Sequence, residues 1–130
     1  MTWATFAVTA AQMRAKEPGI LDKMSDVDVI ALYQVQAKTE MLFDLLDAAG
    51  VTDSTSSSIE TILTDHEARL QEALCYKQLS LYYGSLGGEI GSLNRYKHEN
   101  YANKYQLASR AFGNMVFSGL PKTDFMTFTR

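Results

Sequence analysis

The side chains able to do covalent or acid–base chemistry are few in these 130 residues: one cysteine, Cys75, and two histidines, His66 and His98. A thiol becomes a nucleophile when a base lies within hydrogen-bond reach of it. Cys75 and His66 share one helical stretch and lie ~13 Å apart by helix rise, so they form no such pair. His66 stands between Asp65 and Glu67, but neighbours in a helical sequence point in different directions. With no HExxH spacing, a metal site would have to be built mostly from carboxylates. A helical enzyme would need carboxylates such as Glu40, Asp44, Glu67 and Glu72 to converge; we read them as solvated faces. The segment Gly84 to Gly91 lacks the Lys-Ser or Lys-Thr ending of a phosphate loop and follows no strand pattern. A single cysteine excludes an internal disulfide and argues against zinc, and we read Cys75 as a buried, inert thiol. The expectation is no catalytic residue, no metal and no cofactor.

One stretch has the chemistry of a nucleic-acid groove. Arg95, Lys97, Lys104 and Arg110 interleave with Tyr96, Tyr101 and Tyr105, a combination that can track phosphates and stack bases. The whole chain, however, is acidic, with a pI near 5.3, and a dedicated DNA-binding domain carries a stronger basic footprint. The stripe Tyr101, Tyr105, Ala108, Phe112 and Met115, at spacings of four, three, four and three, reads instead as bundle core or subunit interface.

Those residues need helices to position them. Ile59 to Tyr83 holds neither Pro nor Gly and places Ile59, Leu63, Leu70, Leu74 and Leu81 on one side, flanked by Ile62, Ala73 and Tyr82. This predicts one long helix with a broad buried face. After it, GSLGGEIGS contains four glycines in nine residues and marks a break, a tight loop or a short pair of strands. A last helix starts between Asn94 and Asn100 and ends by Ser118-Gly119. Upstream, an extended lead-in around Trp3, Phe6 and Val8 meets Thr9 and Gln12 at capping-box spacing, which starts a short helix to Glu17 that Pro18-Gly19 ends. Ile20, Leu21 and Met24 follow in a connecting loop. Ser25-Asp26-Val27-Asp28 starts a second helix running to about Ala49, with Gly50 as its stop and Ile30, Ala31, Val35, Leu42, Leu45, Leu46 and Ala49 as its apolar positions. VTDSTSSS is an exposed loop, and Ser57 with Glu60 supplies another capping box.

The expected fold is all-α: a bundle of three long helices plus a short N-terminal one, with a glycine-rich loop before the last helix. The bundle domain spans 1–119, and 120–130 form an extended C-terminal arm. Phe125, Met126 and Phe128 make that arm too apolar to be a solvated tail, so it either folds back or docks on a neighbour. An apolar content of 46% and a charged content of 21% belong to an ordinary globular chain. No apolar run approaches the ~18–20 residues of a membrane span. The N-terminus is a poor secretion signal, which points to the cytoplasm. The net charge of −3 hides a polarity: 13 acidic against six basic residues before Leu93, and six basic against two acidic from there on. That suits copies meeting head to tail, or a C-terminal end docking on an acidic partner.

The order of elements resembles the head-tail connector proteins of tailed bacteriophages, also called adaptors or head completion proteins. TWATFAVTAAQMRAKEPGI is similar to their opening segment and short Pro-closed helix, and SDVDVIALYQVQA to their Asp-rich second helix start. ARLQEALCYKQLSLYY resembles the long central helix, and GGEIGSLNRYKHENYANKYQLASRAF the glycine-containing break and Tyr-rich last helix. The likeness runs from Thr2 to Phe117 and lies in pattern and order. It implies a virion structural protein at the capsid–tail junction, present in host cytoplasm during assembly. Such a protein is a homo-oligomeric ring, typically twelve-fold, that binds the portal protein and a tail or stopper protein. DNA passes through its channel without sequence-specific binding, and no membrane is involved. The interface residues it implies are Tyr101, Tyr105, Phe112, Met115, Phe125, Phe128 and Arg130. The alternative is a small helical phage-encoded regulator that binds a host protein, which would be a monomer or dimer.

Overall fold

The structure, a computed structural model, describes residues 2–18, 24–49, 57–87 and 92–119. Over these residues the chain is helical, with no strand: α1 (Ala10–Lys16), α2 (Asp26–Ala31), α3 (Gln34–Ala49), α4 (Ser57–Asp65), α5 (Glu67–Leu86), α6 (Leu93–Arg110) and α7 (Phe112–Gly119). The all-α expectation therefore stands, while three of the expected continuous helices are each interrupted once.

The central element is α5. Its buried residues come in consecutive runs, Ala73-Leu74-Cys75 and Gln78-Leu79-Ser80, which no one-sided helix could provide. It is packed on several sides at once. Helix α6 lies antiparallel along it, since Gly84 faces His98 whereas Lys77 and Tyr76, further back on α5, meet Tyr105 and Tyr101. The approach is close at Gly84, where an added Cβ would lie 2.9 Å from His98 Nδ1. Helices α1 and α3 pack elsewhere on α5, and α7 closes against α3 and α4.

The local chemistry explains the helix starts. The Thr9 hydroxyl accepts from the Gln12 amide at 3.1 Å and the Gln12 side chain accepts from the Thr9 amide at 2.8 Å, a complete capping box. Ser25 caps α2 through the Asp28 N–H at 3.2 Å, and Ser92 caps α6 through Arg95 N–H at 3.2 Å, which places the last helix start at Leu93. Helix α4 starts at Ser57 as expected. The stop at Gly50, the loops around Ile20, Leu21 and 50–56, the glycine segment 88–91 and the arm 120–130 lie outside the described residues.

The interruptions correct the sequence reading. The second helix breaks at Leu32 and Tyr33, where Tyr33 adopts φ 51°, a left-handed backbone that costs an ordinary residue about 1 kcal/mol. The break resets the helical phase: Ala37, Met41 and Leu45 face the core, while Val35, expected inside, is 81% exposed and Ala31 is also exposed. What holds it is Gln78 on α5, fully buried, whose amide donates to the Ile30 carbonyl at 3.1 Å and the Leu32 carbonyl at 2.7 Å. Those are the carbonyls a helix end leaves without partners. The expected long helix is likewise broken at His66, between α4 and α5, and the last one turns at Ala111, between α6 and α7. The N-terminal lead-in is not extended throughout: Phe6 N–H bonds back to the Thr2 carbonyl at 3.1 Å, forming a turn, and Phe6 and Val8 enter the core. Lys38 reaches across to the Trp3 carbonyl at 2.8 Å, and Gln71 to the Ala7 carbonyl at 2.9 Å, so two helices hold the segment by its backbone.

Candidate functional site

Three places on the molecule gather functional side chains, and α6 contributes to all of them. The first is buried. Glu17, the residue that closes α1, sends its carboxylate inward to accept from Lys97 Nζ at 2.7 Å and from the Tyr101 hydroxyl at 2.7 Å. Tyr101 stacks between Tyr76 and Tyr83, with ring centroids 6.2 and 6.1 Å away. Lys97 lies over the Tyr83 ring at 5.2 Å and Lys16 over Tyr76 at 5.0 Å, cation–π contacts that hold the ammonium groups in place. Burial pushes the Glu17 carboxyl up, but the hydrogen bonds from Lys97 and Tyr101 outweigh it and leave it below its ordinary value. The bond to Glu17 raises Lys97 in turn. Burial, then Glu17, drives the Tyr101 hydroxyl well above the usual phenol. Each group is therefore locked in its pH 7 state, which is the behaviour of a clamp tying α1 to the α5–α6 pair.

The second is a cleft of about 480 Å³ between α3 and the α5–α6 pair, lined by Asp44, Asp47, Lys77, Tyr105, Ser109 and Phe112. Two of its charges have partners: the Tyr105 hydroxyl donates to Asp44, and Lys77 lies over the Tyr105 ring at 4.7 Å while pairing with Glu40 at 3.1 Å. Burial and then the Asp44 hydrogen bond hold Tyr105 firmly protonated.

The third is the outer surface. On α2 and α3, Val27 (74% exposed), Val35 and Phe43 (64%) face outward; on α6, Leu93 (65%), Tyr96 (64%) and Leu107 (61%) do so.

The residues singled out for chemistry stay apart. Cys75 is fully buried and its thiol is pushed up to about 12 by burial, so the thiolate is suppressed. His98 is held by the Ser80 carbonyl, 2.8 Å from Nδ1; a carbonyl only accepts, so that nitrogen carries the proton. Glu40 pairs with Lys77, Asp44 with Tyr105, and Glu72 with Lys16 at 3.7 Å. Among the described residues no three His, Cys, Asp or Glu side chains form a group able to hold a metal. No helix among them is long and apolar enough to cross a membrane.

Of the expected interface residues, Tyr101, Tyr105, Phe112 and Met115 lie together in this chain's own core, between 1% and 5% exposed, so the stripe packs the bundle. Phe125, Phe128 and Arg130 lie outside the described residues. Sequence reasoning missed Glu17 and Gln78, and read Lys97 only as part of a basic aromatic stretch. Of the two, only Gln78 left a signal, as a polar side chain one turn beyond Leu74 on the apolar face. Compared with protein-family models, curated proteins and solved structures, the chain matches none of them.

Proposed function

We propose that the chain is a non-enzymatic structural subunit of a tailed bacteriophage particle: a ring-forming connector between the capsid portal and the tail, through whose channel DNA passes. The observation that carries this reading is one small helical domain, acidic before Leu93 and basic from there on, with large apolar side chains turned to solvent on two separate helices, Val35 and Phe43 on α3 and Tyr96 and Leu107 on α6. A ring of identical subunits needs two different patches per copy. The suppressed thiol and the pre-paired charges fit a part that assembles rather than reacts. The C-terminal arm, through Phe125 and Phe128, docks on the portal or on an adjoining subunit.

The test is the mass of the purified protein in solution, alone and with the portal from the same genome, by light scattering over a concentration series. A large ring or a stable portal complex is expected. A monomer that ignores the portal throughout overturns the connector and leaves the host-directed regulator. Phe125→Asp with Phe128→Asp should keep the helical far-UV signal and weaken portal docking; unchanged docking rejects the arm's role.

A further inference from the structure

Where α5, α6 and α7 meet there is a hollow of about 290 Å³, lined by Arg69 and Glu72 from α5, Leu107, Ala108 and Ala111 from α6, and Met115 from α7. It has one apolar side, from α6 and α7, and one charged side, from α5. On the apolar side Met115 is 2% exposed, and the short alanine side chains beside it leave space. The two charged side chains differ. Glu72 is engaged, by the Tyr76 hydroxyl at 3.3 Å and by Lys16 at 3.7 Å. Arg69 is exposed and has no hydrogen bond or ion pair among the described residues. The hollow therefore joins apolar surface to an uncommitted guanidinium, whose donor fork matches a carboxylate.

The chain itself holds a segment of matching chemistry, a short distance away. Helix α7 ends at Gly119, about 6 Å beyond Met115 along the helix, and residues 120–130 follow outside the described residues. Asp124 is the only acidic residue after Glu99, and Glu99 already pairs with Arg95 at 3.1 Å. In an extended chain alternate side chains share one side. Asp124, Met126 and Phe128 would then present a carboxylate and two large apolar groups together. Asp124 lies five residues past Gly119, about 17 Å of extended chain, so the arm is long enough to turn back to the hollow that Met115 lines.

We infer that residues 124–128 fold back into this hollow of their own chain, with Asp124 on Arg69 and with Met126 and Phe128 against Ala108, Ala111 and Met115. Tethering favours this occupant over any free one, because a short linker holds the arm near the hollow at an effective concentration of roughly millimolar. Phe125, on the other side of the arm, faces outward. The inference concerns the free chain and goes beyond the connector reading. In that reading the arm is stored on its own domain, and docking on the portal begins with its release.

The experiment uses the full-length chain with the photo-crosslinking analogue p-benzoylphenylalanine in place of Phe128, irradiated in dilute solution and mapped by peptide mass spectrometry. The expected product is a single chain crosslinked to the segment 107–115, with several-fold less of it when the analogue replaces Phe125 instead. Arg69→Asp should lower the yield several-fold, and Arg69→Asp with Asp124→Arg should restore it. Arg69 is exposed, and matching far-UV spectra confirm folding. Unlabelled protein gives a second reading: trypsin should cut after Lys122 several-fold faster in Arg69→Asp than in the wild type, and the charge swap should slow it again. The inference is overturned by crosslinks elsewhere in the chain or between chains, or by a yield and a cutting rate that Arg69→Asp leaves unchanged. It is overturned equally by a swap that restores neither. Adding the portal should lower the crosslink as the arm is drawn off; an unchanged crosslink rejects the arm's part in portal docking and keeps this contact.

Discussion

The inner and outer faces of α6 are made from the same ingredients and end differently. Inside are Lys97, Tyr101 and Tyr105; outside are Leu93, Tyr96 and Leu107, with Lys104 between the two. The inner tyrosines bury their rings and place their hydroxyls on Glu17 and Asp44, and the inner lysine reaches the Glu17 carboxylate. The outer side chains are 61% to 65% exposed. Composition alone therefore does not separate a buried helix face from an exposed one. What separates them is whether other parts of the same chain, here Glu17 at the end of α1 and Asp44 on α3, arrive to meet the polar ends.

The comparison breaks first at Tyr101. Tyr101→Ala removes a buried ring and strands Glu17, and should cost about 3–5 kcal/mol in urea unfolding. A cost under about 1 kcal/mol would mean the inner face is no better packed than the outer one. Glu17→Gln should cost about 2 kcal/mol at neutral pH by weakening the bond to Lys97. The sign with pH follows from the two partners. The Glu17 carboxyl is lowered from 4.5, so its contribution is complete above that value and lost as pH falls through the lowered one. Lys97 is raised from 10.5, so its share is complete below that value and lost as pH rises through the raised one. Stability of the wild type against pH should therefore drop at both extremes, and Glu17→Gln should flatten the acid limb.

Smaller effects sharpen the contrast between tight and open places. Gly84→Ala would push a methyl group into the His98 ring, disturb its bond to the Ser80 carbonyl, and cost about 1–3 kcal/mol. Gly113→Ala, in α7 with open space around the new methyl, should instead stabilise by about 0.5–1 kcal/mol. Equal melting shifts for the two would refute the close α5–α6 approach. Leu107→Ser, on the outer face, should change monomer stability by no more than about 0.5 kcal/mol.

Helix identity and cap chemistry were legible because they are local. Thr9 with Gln12 and Ser25 with Asp28 cap as their spacing requires, and Ile59, Ile62, Leu63, Leu70 and Leu74 are all buried. The aromatic stripe was legible as a stripe, with its destination left open between core and neighbour. The interruptions were not legible, because nothing local demands them. Tyr33 is neither Gly nor Asn, and its left-handed backbone depends on Gln78, some 45 residues later, donating to the stranded carbonyls at the end of α2. The break is why Val35 was placed on the wrong side. Glu17 was illegible for the same reason, since a carboxylate beside Pro18 acquires meaning only when Lys97 and Tyr101 reach it from α6.

The Gln78 amide has a further consequence. It fixes the bend between α2 and α3 from inside the molecule, tying the end of α2 to α5. The course of the molecule's outer surface there is set partly by a side chain that solvent never touches. Gln78→Leu would leave the Ile30 and Leu32 carbonyls without their donor and should loosen the end of α2 before the rest of the fold.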